Sequence, residues 1–309
     1  MNLSKLTTEQ RNKATMNLDQ MEISEILSVI NDEDKKVALA VQEAIPQIEI
    51  AVKNIYESLS KGGRLFYAGA GTSGRLGVLD ASECPPTFMV PAEMVQTVMA
   101  GGKQAFFKAV EGAEDDFLQG EEDLKEKGLT SRDAVIGITA SGRTPYPMGA
   151  LNYARSVGAY AISLTCNKNS EISAYADCKI EVEVGPEVLT GSTRMKAATS
   201  HKMVLNMIST AVMVKLGKVY ENLMVDLYAS NEKLKERAKR NVIEITGVTY
   251  DQADKILEQT NYEVKPAIVM IKTGQNHQTA KEALAACNGY VRKAIQDIEE
   301  NAINDKING

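Results

Sequence analysis

The run Arg64-Leu-Phe-Tyr-Ala-Gly-Ala-Gly-Thr-Ser-Gly74 decides the fold class. Its first half, Arg64–Ala68, is a short apolar run of the kind that forms a fully buried strand. Its second half, Gly69–Gly74, is a loop of glycines and hydroxyl residues, and a helical pattern begins at about Arg75. A buried strand that leads through such a loop into a helix is typical of open α/β sheets, which bind ligands at the carboxyl ends of their strands.

The alternation of apolar strand and helix continues along the chain. Four further strand candidates are Met94–Met99, Ala134–Thr139, Ala159–Thr165 and Lys179–Val184. The last of them alternates apolar and polar residues, so we expect it at an edge of the sheet. Because helical patterns separate most of these runs, the sequence predicts an α/β fold with a doubly wound, five-stranded parallel sheet.

Helical patterns flank the predicted sheet. Residues 1–60 are predicted to be helical, with Asn31–Asp34 interrupting them and a regular apolar spacing from Ala38 to Leu59. One long helix is predicted over Thr193–Leu216. Since this helix is apolar on most of its surface, we expect it to be buried in the core or at a subunit interface.

The strand pattern ends at about Asn222, and the rest of the chain is predicted to be helical. Amphipathic helices are predicted at Asn231–Ile245, Thr249–Gln259 and Asn276–Ile298. We therefore expect two domains, residues 1–222 with the sheet and residues 223–309 as a small helical domain.

Composition excludes several classes of protein. The chain has 309 residues, of which 44% are hydrophobic and 25% charged, as in ordinary globular proteins. A net charge of −6 and the absence of tryptophan predict no nucleic-acid partner. The N-terminus lacks the apolar core of a signal peptide, and there is no run of 18 apolar residues, so we expect no secretion and no membrane span.

The cysteines and histidines predict neither disulfides nor a metal site. The four cysteines are Cys84, Cys166, Cys178 and Cys287. They are far apart and form no CxxC pair, so each is interpreted as a small buried hydrophobe. With His201 and His277 as the two histidines, a zinc site is not expected. We expect a cytoplasmic protein with reduced thiols.

Three loops rich in glycine and hydroxyl residues carry the candidate binding site: Gly69–Gly74, Ala140–Thr144 and Thr190–Lys196. Each precedes a helical pattern, where free backbone N–H groups suit a phosphate. The candidate binding side chains are Thr72, Ser73, Ser141, Arg143, Ser192, Thr193 and Lys196. In the third loop, Arg194 and Lys196 would add positive charge.

The first loop also has the GxGxxG spacing of dinucleotide-binding proteins, in Gly69, Gly71 and Gly74. That motif requires an acidic residue about 20 residues later at a strand end. Glu93 lies near that distance but precedes the next strand candidate. The loop is also richer in hydroxyl residues than the motif requires, so a phosphate loop is favoured, with a dehydrogenase as an alternative.

Two glutamates are candidates for acid–base chemistry. Glu83 lies in Asp80–Pro86, an apolar stretch whose prolines are predicted to end the first helix after the loop. Glu114 lies in the acidic run Val110–Asp116, where a solvated surface role explains it equally well. A pair of carboxyl groups can act as general acid and base on one substrate, but spacing alone does not show that the two meet.

Four motifs together resemble those of the N-acetylmuramic acid 6-phosphate etherases. They are Gly69–Gly77, Asp80–Phe88, Ala109–Asp115 and Gly185–Lys196 with its continuation to Lys202. The resemblance covers nearly the whole chain. It implies a sugar isomerase (SIS) domain, which is a flavodoxin-like αβα sandwich with a five-stranded parallel sheet, and a small C-terminal helical domain.

The resemblance also implies an activity. The family cleaves the lactyl ether at carbon 3 of its sugar by elimination and then hydration, without metal or nucleotide cofactor. The products are N-acetylglucosamine 6-phosphate and D-lactate. Matching the motifs places the acid–base pair at Glu83, the proton donor, and Glu114. SIS domains generally pair, so the resemblance and the apolar helix Thr193–Leu216 both predict a homodimer.

Two related functions and one residue stay open. Glucokinase regulatory proteins share these motifs and bind sugar phosphates without chemistry, but they are much longer and carry two SIS domains. An aldose–ketose phosphosugar isomerase would need the same proton transfer at carbon 2 without releasing lactate. His201, near the start of the long helix, is interpreted as a packing or helix-surface residue, with a base for ring opening as the alternative.

Overall fold

The structure is a computed structural model that describes residues 6–227 and 231–308, the last four of these by their backbone alone. The helical prediction for residues 1–5 lies outside this range. The chain divides into two compact units. The sheet unit consists of Met1–Ser82 and Ala92–Thr210, and the helical unit of Glu83–Pro91 and Ala211–Gly309. The domain division at residues 222 and 223 stays a prediction.

A five-stranded parallel sheet forms the centre of the sheet unit. Its strands are β1 (Leu65–Gly69), β2 (Val95–Met99), β3 (Ala134–Thr139), β4 (Tyr160–Thr165) and β5 (Cys178–Glu181). Their order is β2-β1-β3-β4-β5, and every neighbouring pair is parallel. Strands β1 and β3 are buried throughout, as expected of a sheet covered on both faces.

The sheet prediction is confirmed; the predicted bounds of β1, β2 and β4 are wrong by one residue at one or both ends, and those of β5 by more. This strand lies at an edge, as its alternation predicted. It ends at Glu181 rather than Val184, because its neighbour β4 ends at Thr165, the residue that pairs with Glu181. Beyond that point β5 has no strand to pair with in this sheet.

The helices up to residue 215 are α1 (Ile23–Glu43), α2 (Ile45–Ser60), α3 (Gly71–Phe88), α4 (Gln104–Phe107), α5 (Phe117–Glu126), α6 (Pro145–Ser156) and α7 (Lys196–Lys215).

Two N-terminal predictions are wrong. Residues 7–20 form three separate 3-10 turns rather than a helix. Asn31–Asp34 lies inside α1, where Asp32 and Glu33 pair with lysines one turn later. The break falls at Ala44, and Pro46 lies in the first turn of α2.

The bounds of α3 also correct the sequence prediction. The helix begins at Gly71 rather than Arg75, so Gly71–Gly74 is its first turn. Pro85 and Pro86 lie inside the helix and do not end it. The helical hydrogen bonding resumes after them, since the Met89 N–H donates to the Pro85 carbonyl at 2.9 Å.

The helical unit holds a short hairpin and five further helices. They are β6 (Val219–Tyr220) and β7 (Leu223–Met224), then α8 (Glu232–Thr246), α9 (Tyr250–Gln259), α10 (Val264–Thr273), α11 (His277–Ala286) and α12 (Val291–Asn308). The single helix predicted over Asn276–Ile298 is two helices, and Gly289 with φ +79° lies in the turn between them. The sequence missed α10, whose buried residues form the continuous run 264–269, which includes Lys265. No helix in the described ranges is long and apolar enough to cross a membrane.

Candidate active site

The candidate site lies at the carboxyl ends of β1 and β3. From β1 the chain moves outward to β2 and then places β3 on the other side of β1. Such a reversal opens a crevice at the carboxyl ends of the strands, and this is where open α/β sheets bind their ligands. The segments that follow β1 and β3 are Gly69–Gly74 and Ala140–Thr144. Both loops predicted from the sequence therefore border this crevice.

Two glycines make the turn from β1 into α3 tight. Gly71 has φ +53°, in the left-handed region that favours glycine. A Cβ atom on Gly74 would lie 2.7 Å from the Gly69 carbonyl oxygen, so glycine alone lets the helix pack this closely on the strand. The first N–H groups of a helix have no acceptor within it, and its N-terminus attracts anions. The start of α3 therefore suits a phosphate.

Hydroxyl groups fix the second loop. Thr139 Oγ1 lies 2.7 Å from Thr144 Oγ1 and 3.3 Å from Ser141 Oγ. Ser141 Oγ accepts a hydrogen bond from the Arg143 backbone N–H at 3.2 Å. The Arg143 side chain forms an ion pair with Glu171, with Nε 3.1 Å from Oε1. The Ser141 hydroxyl is thus held in place at the carboxyl end of β3.

Asn167, which the sequence analysis missed, joins this loop to the N-terminal segment. Its side chain is buried and donates from Nδ2 to the Ala140 carbonyl at 3.0 Å and to Thr8 Oγ1 at 3.1 Å. Its Oδ1 accepts from the Thr7 backbone N–H at 2.8 Å. The sequence signal for this role is a polar residue just after the fourth strand, at the same edge of the sheet as the predicted loops.

The third loop leads into α7, and its helix start already holds an acidic side chain. The Glu187 carboxylate accepts the backbone N–H groups of Lys196 and Ala197, each at 3.0 Å. Glu187 is fully buried, and burial raises its pKa although these two N–H groups oppose the shift. The hydroxyl residues Ser192 and Thr193 precede this helix and are half-buried. The start of α7 thus differs from that of α3 because the protein supplies its own carboxylate.

Lys196 has a buried partner within the sheet unit. Its ammonium group donates to Glu33 Oε2 at 2.6 Å, and its side chain is 1% exposed. Burial opposes ionisation of Glu33, but the ammonium groups of Lys196 and Lys36 outweigh it and hold the Glu33 pKa below its usual range. Removing one member of a buried pair leaves an uncompensated charge. Lys196 thus links α7 to α1, and its contact with substrate stays a prediction.

Glu114 lies beside the first loop. It is exposed in a 3-10 turn and lines a pocket of about 220 Å³ together with Gly71, the first residue of α3. Arg75 lines the same pocket, and its guanidinium donates to the carbonyls of Ala105 and Phe106 at 2.8 and 3.0 Å. The structure therefore places Glu114 in the lining of a pocket at the start of α3, which the sequence pattern could not decide.

Glu83 lies near the other end of the same helix. It is exposed, and it follows Gly71 by twelve residues. Glu83 belongs to the helical unit, whereas Glu114 belongs to the sheet unit.

His201 is buried on α7 with no exposed surface, which agrees with the packing interpretation. Its Nδ1 atom lies 3.4 Å from Ser73 Oγ, and its Nε2 atom lies 3.4 Å from Cys166 Sγ. Burial lowers the pKa of His201 to about 4, so the imidazole is neutral at neutral pH. All four cysteines are buried, as predicted, and no disulfide joins any of them in the described part of the chain. Within the described part of the chain, no three His, Cys, Asp or Glu residues are grouped to hold a metal ion.

Comparison with known proteins places these features in a family. Residues 47–155 match the model of the glucokinase regulatory protein N-terminal SIS domain, and residues 119–211 match the SIS domain model. The chain is 58% identical over 296 residues to N-acetylmuramic acid 6-phosphate etherase of Bacillus subtilis, covering 96% of this chain and 97% of that protein. It is 56% identical to N-acetylmuramic acid 6-phosphate etherase 1 of Bacillus licheniformis, covering 97% and 98%. For the etherase of Clostridium beijerinckii the identity is 54%, with coverage of 97% and 98%.

Proposed function

The chain belongs to the N-acetylmuramic acid 6-phosphate etherase family, and from this premise we propose how its site cleaves the D-lactyl ether of that sugar phosphate. The products are N-acetylglucosamine 6-phosphate and D-lactate, and the enzyme is a carbon–oxygen lyase of cell-wall sugar recycling. The observation that carries this function is 58% identity to an etherase over 96% of the chain. The crevice between β1 and β3, with a helix N-terminus and fixed hydroxyl groups at its border, supports it.

The reaction needs one base and one acid. Opening of the sugar ring gives an aldehyde, which makes the proton on carbon 2 acidic. A base removes this proton, lactate leaves from carbon 3, and water then adds to the unsaturated aldehyde. Because an ether oxygen is a poor leaving group, an acid has to protonate it as the bond breaks. We assign Glu114 as the base, since it lines the pocket at the start of α3, and Glu83 as the acid.

The phosphate is proposed to bind at the N-terminus of α3. Ser73 lies in the first turn of this helix, and Ser141 is held at the neighbouring strand end. Their hydroxyl groups would add to the backbone N–H groups that an anion meets there. The remaining proposed substrate-binding residues are Thr72, Arg143, Ser192, Thr193 and Lys196.

Alanine at Ser73 or Ser141 is expected to raise KM by about 10- to 150-fold. A hydrogen bond to a charged group contributes about 1.5–3 kcal/mol, which corresponds to that range. Steady-state lactate release measures the change. Ser60→Ala is the matched control, because Ser60 is exposed at the end of α2 and donates to its own helix. An unchanged KM in both test variants would mean that these loops serve another part of the substrate.

We propose a homodimer whose active site takes residues from both chains. Glu83 and Glu114 belong to different compact units of the chain, and in the proposed dimer one chain supplies Glu83 and its partner supplies Glu114 to each site. Exposed apolar side chains next to the Glu114 segment in the chain support association there. They include Phe107 and Leu118, which are 87% and 71% exposed.

Light scattering at micromolar concentration is expected to give twice the chain mass of 33.6 kDa. Mixing Glu83→Gln and Glu114→Gln chains, with subunit exchange, tests the shared site. If the two carboxyl groups come from different chains, each mixed dimer regains one intact site and lactate release returns. A monomer would contradict the dimer, and a dimer whose mixture stays inactive would contradict the shared site.

The cytoplasm is the proposed location of the reaction. All four cysteines are buried, and no disulfide joins any of them in the described ranges, which suits a reducing compartment. The proposed partners are the sugar 6-phosphate and a second copy of the chain, with neither nucleic acid nor membrane.

D-lactate release from N-acetylmuramic acid 6-phosphate is expected to proceed unchanged in excess chelator, because both proposed catalytic groups are side chains of the protein. An enzymatic D-lactate assay with and without chelator measures this. Activity that is lost in chelator and restored by zinc would contradict cofactor-free catalysis. Tight binding without lactate would indicate a regulatory sugar-phosphate-binding protein, and aldose-to-ketose conversion without lactate would indicate an isomerase.

A further inference from the structure

We propose that His201 is a positioning residue for Ser73, holding the serine hydroxyl so that its O–H donates to the phosphate of the substrate. The inference rests on the proposed function and on the proposed contact between Ser73 and phosphate. It assigns His201 a task distinct from both packing alone and ring opening.

The geometry places His201 behind the phosphate loop rather than in the crevice. Its Nδ1 atom lies 3.4 Å from the Ser73 hydroxyl oxygen, and Ser73 lies in the first turn of α3. No part of the imidazole is exposed. A sugar in the crevice thus contacts Ser73 but does not contact His201. Any effect of the imidazole on the substrate passes through the serine.

The Cys166 thiol, on the far side of the ring, has two acceptors within reach, His201 Nε2 and the more distant Ala197 carbonyl oxygen at 3.9 Å. Its Sγ atom lies 3.4 Å from Nε2, and burial raises the thiol pKa to about 12, so the thiol keeps its proton. The Ser200 hydroxyl also lies near this thiol, and it donates its hydrogen to the Ala197 carbonyl oxygen at 2.7 Å. When the thiol donates its hydrogen to Nε2, that nitrogen is the acceptor of the neutral ring. The single ring proton then lies on Nδ1, because the hydrogen-bond partner of one ring nitrogen determines whether the other is protonated.

This tautomer gives Ser73 the orientation that a phosphate needs. With the proton on Nδ1, the imidazole donates to Ser73 Oγ, and the hydroxyl hydrogen of the serine is free for a phosphate oxygen. The opposite tautomer would accept that hydrogen and withdraw it from the phosphate. A neutral ring, as the lowered pKa of His201 provides, adds no charge of its own to the phosphate site. The imidazole acts by setting the direction of the hydrogen bond that the Ser73 hydroxyl donates.

Kinetics of two His201 variants test the proposal. His201→Leu removes both hydrogen bonds and is expected to raise KM at least fivefold with kcat changed less than threefold. His201→Asn keeps an amide nitrogen at the position of Nδ1 and is expected to restore KM to within about threefold of wild type. The affinity of each variant for N-acetylglucosamine 6-phosphate, measured by calorimetry, compares the variants with wild type without turnover. A wild-type protein that binds N-acetylglucosamine 6-phosphate but releases no lactate from N-acetylmuramic acid 6-phosphate would refute the proposed function alone.

Combination with Ser73→Ala separates positioning from general structural damage. If His201 acts through Ser73, His201→Leu changes KM and affinity less than twofold in the Ser73→Ala background, because coupled residues are not additive. If the fold-changes of the two single variants instead multiply in the double variant, the proposal is overturned. So would a His201→Leu variant that loses kcat at unchanged KM, which is the behaviour of a ring-opening base.

A measurement on the wild-type protein keeps the proposal testable if these variants do not fold. Nitrogen-15 NMR of the His201 imidazole, with N-acetylglucosamine 6-phosphate bound, reports which ring nitrogen carries the proton. The proposal requires protonation at Nδ1. Protonation at Nε2 would overturn it.

Discussion

Glu114→Gln is expected to lower lactate release by about 10²- to 10⁴-fold, the usual contribution of a general acid or base. The amide cannot accept the carbon 2 proton, so exchange of that proton with heavy water should fall in parallel. The variant should fold, because Glu114 is exposed in a short 3-10 turn. Deuterium in recovered substrate, measured beside D-lactate, gives both quantities.

The neighbouring acid provides the control for this variant. Asp115 is exposed in the same turn but does not line the pocket that holds Glu114. Asp115→Asn is therefore expected to keep both lactate release and proton exchange. If Asp115→Asn is as slow as Glu114→Gln, the effect comes from the charge of the turn and the base assignment is wrong.

Glu83→Gln is expected to reduce lactate release by a similar factor while leaving proton exchange intact. Enolate formation precedes carbon–oxygen cleavage, so removing the carbon 2 proton does not require a protonated ether oxygen. The same deuterium assay distinguishes the two glutamates. Glu93→Gln, an exposed glutamate between α3 and β2, is the control and should behave as wild type.

The pair of variants also defines how the assignment fails. If Glu83→Gln loses exchange and Glu114→Gln keeps it, the two roles are reversed. If both variants release lactate at the wild-type rate, neither carboxyl group takes part and the proposed mechanism has no acid–base pair.

The central strands of the sheet were predictable because they are buried on both faces. The apolar run predicted at Ala134–Thr139 has the bounds of β3, and the run at Arg64–Ala68 differs from β1 by one residue at each end. The start of α3 was not predictable from propensity, since two glycines in its first turn disfavour a helix. They are present because the helix packs closely on the end of β1.

The site was predictable as loops but not as contacts. Glycine and hydroxyl patterns located the segments at the carboxyl ends of β1 and β3. The partners of Lys196 and His201 were not predictable, because tertiary packing supplies them. Glu33, for example, lies 163 residues before the lysine that it neutralises. A local pattern carries no signal over such a separation.

Turnover in water labelled with oxygen-18 tests the central claim most directly. In elimination followed by hydration, the bond that breaks joins carbon 3 to the ether oxygen, and solvent water supplies the new hydroxyl group. Mass spectrometry should therefore find one labelled oxygen on carbon 3 of N-acetylglucosamine 6-phosphate and none introduced into D-lactate by ether cleavage. Label in the lactate hydroxyl, or no lactate at all, would contradict the account.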